Sequence, residues 1–397
     1  MDQKKKYGFS TRAIHAGHHA DTYGALSSPV YRTSTFRFDS CRQGADIFAG
    51  KVARSPYSRL GNPTVAEAEA KVADLEGGEA GLGCASGMGA ISSTLWTLLR
   101  AGDKLVADRT LYGCTFDLIS HCLPDFGIET EMIDTGDERA LRAALTENTK
   151  AVYLETPANP TLKITDIEKV SAIAHAFDLE IRVICDNTFA SPYVQRPLEH
   201  GADIVVHSAT KYLNGHGDVL AGFVVSDAET IKAIRMKGIK DMTGAMMQAD
   251  EAALVIRGLK TLPLRMRQHC ASAQAIAEFL EKSEKIEKVN YPGLESFEGH
   301  GIAARQMDLY GGMLSFFVKG GRDAASRFAD SLELCTLAVS LGDPETLVEH
   351  PASMTHSAYS AEELEEAGIP EGLVRMSVGL EDTEDLIADI RQALDRV

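Results

Sequence analysis

The sequence predicts an α/β protein in which a doubly wound, mostly parallel sheet domain is followed by a smaller C-terminal α+β domain. Three observations predict it. Short β-branched runs such as Ile204-Val205-Val206 read as strands buried on both faces, the habit of parallel sheets. These runs alternate with amphipathic helical stretches up to about residue 250, which suits βα units wound on both sides of one sheet. Beyond about 255 the alternation gives way to a long helical stretch and then to well separated strands.

In chain order, residues 1–60 are irregular, with Gly, Pro, Ser and Thr scattered through Ser27-Ser28-Pro29 and Ser55-Pro56-Tyr57-Ser58-Arg59. A long arm of this kind is expected to contact a neighbouring subunit or enter an active site. From 61 to 255 comes the sheet domain. It opens on a helix with Val65, Ala68, Val72 and Leu75 on one face, closed by Gly77-Gly78. The glycine-rich turn Gly81 to Gly89 leads into a helix beginning at Ala90. Strands are predicted at 104–107, 130–133, 151–155, 181–186 and 204–206, with helices at 115–122, 138–145 and 167–177 between them. Residues 256–397 form the second domain, with a helix from about Ala249 to Lys282 broken near Pro263, strands at 313–318 and 373–378, and a last helix from Thr383 to Leu394. The acidic first turn of that helix suits its dipole.

The bulk composition narrows the function classes. The 397 residues are 44% hydrophobic and 24% charged, values of a folded protein, and the length allows a sizeable core. A net charge of -17 disfavours nucleic acid and anionic membrane surfaces as partners. The one basic cluster, Lys4-Lys5-Lys6, reads as a solvated tail, and no apolar run approaches bilayer length. Seven cysteines, an odd number without a C-x-x-C pair, predict reduced thiols and a cytoplasmic protein. His15, His18 and His19 lack metal-ligand companions, and His216 reads as structural, so no metal is expected.

The chemistry gathers on Lys211, just past the strand at 204–206. A lysine forced towards an apolar site loses solvation, and its amine becomes a nucleophile towards carbonyls; the alternative is a side chain that snorkels to solvent. Asp186 ends the preceding buried strand, which puts it on the carboxyl edge of the sheet where α/β proteins bind ligands. Ser86-Gly87-Met88 opens a helix, where free N–H groups hold phosphate. Carboxylate, nucleophilic lysine and phosphate cradle together suit pyridoxal 5′-phosphate, with Ser208 and Thr210 adding hydroxyls. A dinucleotide is the rival occupant of the glycine turn, disfavoured because Gly81, Gly83 and Gly87 are not spaced as G-x-G-x-x-G.

The wording Ser208-Ala209-Thr210-Lys211-Tyr212, with Asp186-Asn187-Thr188 before it and Tyr57-Ser58-Arg59 upstream, resembles the Cys/Met metabolism family of fold type I pyridoxal-phosphate enzymes over nearly the whole chain. Leu111-Tyr112-Gly113-Cys114, Lys240-Asp241-Met242-Thr243-Gly244, Val339-Ser340-Leu341-Gly342-Asp343 and His350 to His356 resemble members that act on methionine. The resemblance implies a carbon–sulfur lyase that eliminates methanethiol from L-methionine, leaving 2-oxobutyrate and ammonia. Its rivals are γ-elimination from cystathionine and sulfhydrylation of O-acetylhomoserine. It implies that Lys211 bonds the cofactor and moves protons, while Asp186 holds the ring nitrogen. Gly87, Met88, Ser208 and Thr210 would take the phosphate, joined by Tyr57 and Arg59 of a neighbouring subunit. Tyr112 would stack on the ring and protonate the departing sulfur, its phenol pulled down by Arg59. Arg375 and Ser340 would take the substrate carboxylate, and Cys114, Lys240 and Asp241 would set specificity. The implied assembly is a homotetramer of two catalytic dimers.

Overall fold

The structure is a computed structural model and describes residues 7–18, 21–52, 54–354 and 370–397. Lys4-Lys5-Lys6, His19 and the Thr355-His356 end of the last motif lie outside them. The arm, read as irregular, contains two short helices, α1 (Phe9–His15) and α2 (Cys41–Phe48). Lys71, itself buried, donates to the carbonyls of Ala13 and Ile14 at 3.2 and 3.0 Å, filling acceptors that the end of α1 leaves open.

Helix α3 (Pro63–Glu76) starts and stops on local chemistry. The Asn62 side chain accepts from Thr64 N, Pro63 occupies the first turn, and Gly77 ends the helix at φ 82°. Strand β1 (Ala80–Cys84) follows and runs into α4 (Gly87–Leu98), capped by Ser86, whose side chain accepts from Gly89 N. Next come β2 (Lys104–Asp108), α5 (Gly113–Asp117), β3 (Glu129–Ile133), α6 (Glu138–Ala144), β4 (Thr149–Glu155), α7 (Ile167–Phe177), β5 (Arg182–Asp186), β6 (Ile204–Ser208) and β7 (Gly222–Ser226). Helix α8 (Ala228–Ala233) leads into a π-helix (Ile234–Thr243).

The first sheet has the order β1-β7-β6-β5-β4-β2-β3. All its pairings are parallel except those of β7, which runs against both neighbours. Strands β1 and β7 are absent from the sequence expectation, which read Gly81 to Gly89 as one turn. Pairing with β7 makes Gly81-Leu82-Gly83 a strand despite weak β-propensity. The helix expected at 115–122 is α5 continued by a π-turn, Leu118–Cys122.

Two helices replace the one broken at Pro263: α9 (Ala249–Leu259) and α10 (Leu262–Glu281), the latter with Pro263 in its first turn. Strand β8 (Ile286–Asn290), α11 (His300–Gln306), β9 (Met313–Val318), α12 (Gly321–Asp330), β10 (Thr336–Leu337), β11 (Leu347–Glu349), β12 (Leu373–Ser377) and α13 (Thr383–Asp395) complete the described chain. Their five-stranded sheet has the order β10-β11-β12-β9-β8. One hydrophobic cluster runs from Ala13 through Tyr212 and Met266 to Leu394, so both sheets share a core.

The loop after β10 closes on the turn carrying Lys211. Gly342, at φ 80°, comes so near that a Cβ on it would lie 2.7 Å from Tyr212 N and 3.0 Å from the Lys211 carbonyl carbon. Gly342→Ala therefore combines a disfavoured conformation with a backbone clash, and should lower the calorimetric thermal midpoint by about 4 °C or more. Gly301→Ala, which meets nothing within 4 Å, should leave the midpoint within about 1 °C. Equal midpoints for the two variants would show that the loop does not press on the lysine turn.

Candidate active site

Strand β6 ends at Ser208, and the next turn delivers Lys211 to the carboxyl edge of the sheet. Its ammonium donates to Ser340 Oγ at 2.7 Å. Burial, and then the positive charge of Arg375, lower the lysine to about 8; Asp343 and Glu349 pull the other way. Ser340 has φ 89°, a conformation rare outside glycine, and its own carbonyl accepts from Arg375 Nη2 at 2.9 Å. One strained residue thus holds both the expected nucleophile and the expected carboxylate ligand.

Arg375 lies on β12 and is 7% exposed. Its Nη1 donates to Asn159 Oδ1 at 3.0 Å, and Nη2 pairs with the buried Glu349 carboxylate at 2.6 Å. Nε is buried without a hydrogen-bond partner among the described residues, leaving a donor for a further anion. Asn159 and Glu349 were missed in the sequence. Nothing local marks either of them, and only the fold sets them beside Arg375.

Asp186, at the end of β5, is 6% exposed. Oδ1 accepts from Thr188 N at 3.0 Å and Oδ2 from the Tyr153 hydroxyl at 3.4 Å. Burial raises this carboxyl, opposed by the Thr188 hydrogen bonds and by His207. Beside it in the β4–β5 register stands Glu155, another residue missed in the sequence. Glu155 accepts from Tyr112 N at 2.9 Å and Asn159 N at 3.0 Å, and burial followed by the Asp186 charge raise it strongly.

The residues expected to hold a phosphate come from three elements. A Cβ on Gly87 would sit 2.7 Å from Ser208 Cβ, so the first turn of α4 touches the end of β6. Thr210 Oγ1 accepts from Ala221 N at 3.0 Å, tying the hydroxyl to the entrance of β7, and Met88 Sδ accepts from Thr115 Oγ1 at 3.7 Å. An N-terminal helix turn with a bare Gly87 and neighbouring hydroxyls is a ready anion site. A buried Asp186 without a hydrogen-bonded cation among the described residues suits a protonated ring nitrogen. The residues present fit pyridoxal phosphate.

Tyr112 is 45% exposed at the mouth, hydrogen-bonded to Cys114 across 3.4 Å. That bond, then burial, push the phenol up to about 12, while Arg375 is the cation that pulls it down. The expected lowering by Arg59 is not found within one protomer. Arg59 instead donates to Lys240 O at 2.8 Å and lies over the Tyr57 ring, and Lys240 pairs with Asp241 at 2.6 Å. No hydrogen bond or ion pair joins these four residues to Tyr112, Cys114 or Lys211 among the described residues. Tyr57 and Arg59 line a separate cavity of about 280 Å³ with Arg32 and Asp250.

The fold and the pocket define a pyridoxal-phosphate enzyme of the α/β type. The chain belongs to the Cys/Met metabolism PLP-dependent enzyme family, whose model matches residues 10–395. It is 56% identical over 395 residues to an L-methionine gamma-lyase of Fusobacterium nucleatum, with all of both chains covered. It is 54% identical over 399 residues to an L-methionine gamma-lyase of Treponema denticola, again covering all of both. The crystal structure of metB from Corynebacterium glutamicum superposes with a TM-score of 0.92 at 40% identity, over 100% of this chain and 99% of that one.

The lowered lysine is directly measurable. In cofactor-free protein, trapping of Lys211 by a small aldehyde with cyanoborohydride, read by peptide mass spectrometry, should rise with pH through a midpoint near 8. Arg375→Leu removes a repelling cation and should move that midpoint upward. A midpoint in the ordinary lysine range for the unmodified protein would show that the site does not activate the amine.

Proposed function

We propose that the protein catalyses the pyridoxal-phosphate-dependent α,γ-elimination of L-methionine, which with one water gives methanethiol, 2-oxobutyrate and ammonia. The observation that carries it is the pairing of Lys211 and Arg375 on Ser340, which sets an amine-handling group and a carboxylate-binding group at one pocket, as an α-amino acid requires. The two L-methionine gamma-lyases aligned with the entire chain support methionine as that amino acid.

Pyridoxal phosphate, when bound, supplies a covalent hold on the substrate amine and a ring that accepts electrons. The chain's own residues do the rest. Lys211 anchors the cofactor and then, as an amine lowered to about 8, takes the α-proton and redelivers protons along the carbon chain. Asp186 holds the ring nitrogen. Gly87, Met88, Ser208 and Thr210 hold the phosphate. Arg375, its guanidinium fixed by Asn159, Glu349 and Ser340, receives the substrate carboxylate on its open Nε side. Tyr112 gives the proton to the departing sulfur. At about 12 its phenol stays protonated throughout the neutral range, so no lowering by Arg59 is needed for it to act as an acid.

Tyr57 and Arg59 serve the pocket of a partner subunit, a reading supported by the 43% exposure of Tyr57 and by their distance in bonding from Lys211. Lys240 and Asp241 travel with Arg59 and meet Cys114 there. Two such dimers make the proposed homotetramer, with exposed arm residues such as Tyr23 and Leu26 as its apolar contacts. Seven unpaired cysteines support a cytoplasmic setting.

The purified enzyme should release methanethiol and 2-oxobutyrate from L-methionine faster than it cleaves L-cystathionine or joins sulfide to O-acetylhomoserine. Absence of methanethiol would sink the proposal, and a faster reaction with either rival would reassign the substrate. Cys114→Ala should change the ratio of kcat/KM for methionine to that for cystathionine by about tenfold while the cofactor's visible band is kept. An unchanged ratio would return Cys114 to an incidental place at the mouth.

A further inference from the structure

Behind the pocket, on the other face of the sheet, lies a polar cluster that the reaction as proposed does not use. Along β6, Val206 and Ser208 face the α4 side, where Asp186 also points, while Val205 and His207 face α3. His207 is 1% exposed, and its Nε2 meets Glu76 Oε1 of α3 at 2.5 Å. The same oxygen accepts from Asn187 Nδ2 at 2.9 Å, and Asn187 is the residue directly after Asp186. Gln195 Nε2 donates to Asn187 Oδ1 at 3.0 Å, and Asn187 N continues the ladder to Val206 O at 3.0 Å. Glu76 and Asn187 are both fully buried, and Glu76 Oε2 has no hydrogen-bond partner among the described residues.

A buried carboxylate with one oxygen unsatisfied is costly, and a core of apolar residues would hold these strands without it. Its position suggests a purpose. The ionisable side chains around Asp186 are Tyr153 and Glu155 on β4, Cys185 on its own strand, and His207 on β6 with Glu76 behind it. Tyr153, Glu155 and Cys185 are neutral or acidic, so His207 is the one group in this set able to bear positive charge. Through Asn187 the same pair also grips the backbone that aims the Asp186 carboxylate.

We propose that Glu76 and His207 form a buried positioning pair that sets the orientation and ionisation of Asp186 from the opposite face of the sheet, and so governs how firmly the cofactor's ring nitrogen keeps its proton. This rests on the reading of Asp186 as the partner of that nitrogen. The arrangement parallels outer-sphere support in metal sites, where a group out of contact with the reacting centre tunes the one that touches it.

His207→Gln keeps a donor for Glu76 while losing the capacity for charge, and Glu76→Gln keeps the shape while losing the anion. Both variants, with Asp186→Asn alongside, are prepared as holoenzyme. The cofactor's visible absorption is followed against pH, its dissociation constant measured by fluorescence, and methionine kinetics recorded. His207→Gln should weaken cofactor binding by about tenfold, displace the absorption titration by about half a pH unit or more, and lower kcat with little change in KM. Asp186→Asn should weaken binding by about a hundredfold or more. If Asp186→Asn keeps normal affinity and spectrum, the reading of Asp186 itself fails. If it behaves as expected while His207→Gln and Glu76→Gln leave spectrum and affinity untouched, even with a lower thermal midpoint, the pair is merely structural and the proposal is overturned.

Discussion

Ser340 joins two cations that would otherwise repel each other across the same buried pocket. Its hydroxyl accepts from Lys211 and its carbonyl from Arg375, and to do both it takes a left-handed backbone conformation that a serine seldom adopts. The strain, of order 1–3 kcal/mol, persists because the surroundings over-determine it. Gly342 is pressed against the backbone of the lysine turn, and Ser377 Oγ accepts from Gly342 N on the far side. The second sheet therefore contributes Arg375, and the loop after β10 the residue that holds Lys211 of the first. Neither sheet alone makes the pocket.

That dependence explains which parts were legible in the sequence. Lys211, Asp186 and the Ser86-Gly87-Met88 turn are each carried by a short local pattern, an apolar run or a helix opening, and a residue at the end of a buried parallel strand has only one edge to occupy. Strands β1 and β7 were not legible because their identity comes from pairing with each other, and Gly81 and Gly83 give no strand signal of their own. Asn159, Glu155 and Glu349 escaped for another reason. Their chemistry is ordinary until the fold places them against Arg375 and Tyr112. The direction of the Tyr112 shift was likewise out of reach, since it depends on which partners the phenol has: Cys114 and burial outweigh the nearby guanidinium.

The grouping of Tyr57, Arg59, Lys240 and Asp241 away from Lys211 follows from the same geometry. Arg59, in a turn of the arm, is held by the carbonyl of Lys240 near the end of a π-helix, a segment whose wider turn re-aims the chain within one helical stretch. An arm that leaves a guanidinium and a tyrosine on an exposed surface, beside a cavity it lines itself, is consistent with the partner-subunit role proposed for them.

The charges of the pocket share one tendency. Burial moves Lys211 and Arg375 down and Asp186 and Glu155 up, each towards its neutral form. For Lys211 the displacement amounts to about 3 kcal/mol of disfavoured protonation. A site under this tension gains from any ligand that brings the missing opposite charge to each group. In the proposed roles, a pyridine nitrogen that takes up a proton would do so for Asp186, and a substrate carboxylate would add to the charge that Glu349 already supplies to Arg375. Lys211 gains in the other direction, since its neutral amine is the form that bonds a carbonyl and removes a proton. The low dielectric that makes the ligand-free arrangement expensive is thus what would let its residues, in the roles proposed for them, recognise a cationic ring and an amino-acid carboxylate together. By the same reasoning, Glu349 is expected to stay paired with Arg375 if a substrate carboxylate binds there, for the guanidinium has donors enough for both carboxylates, and a buried Glu349 left without its partner would be costly.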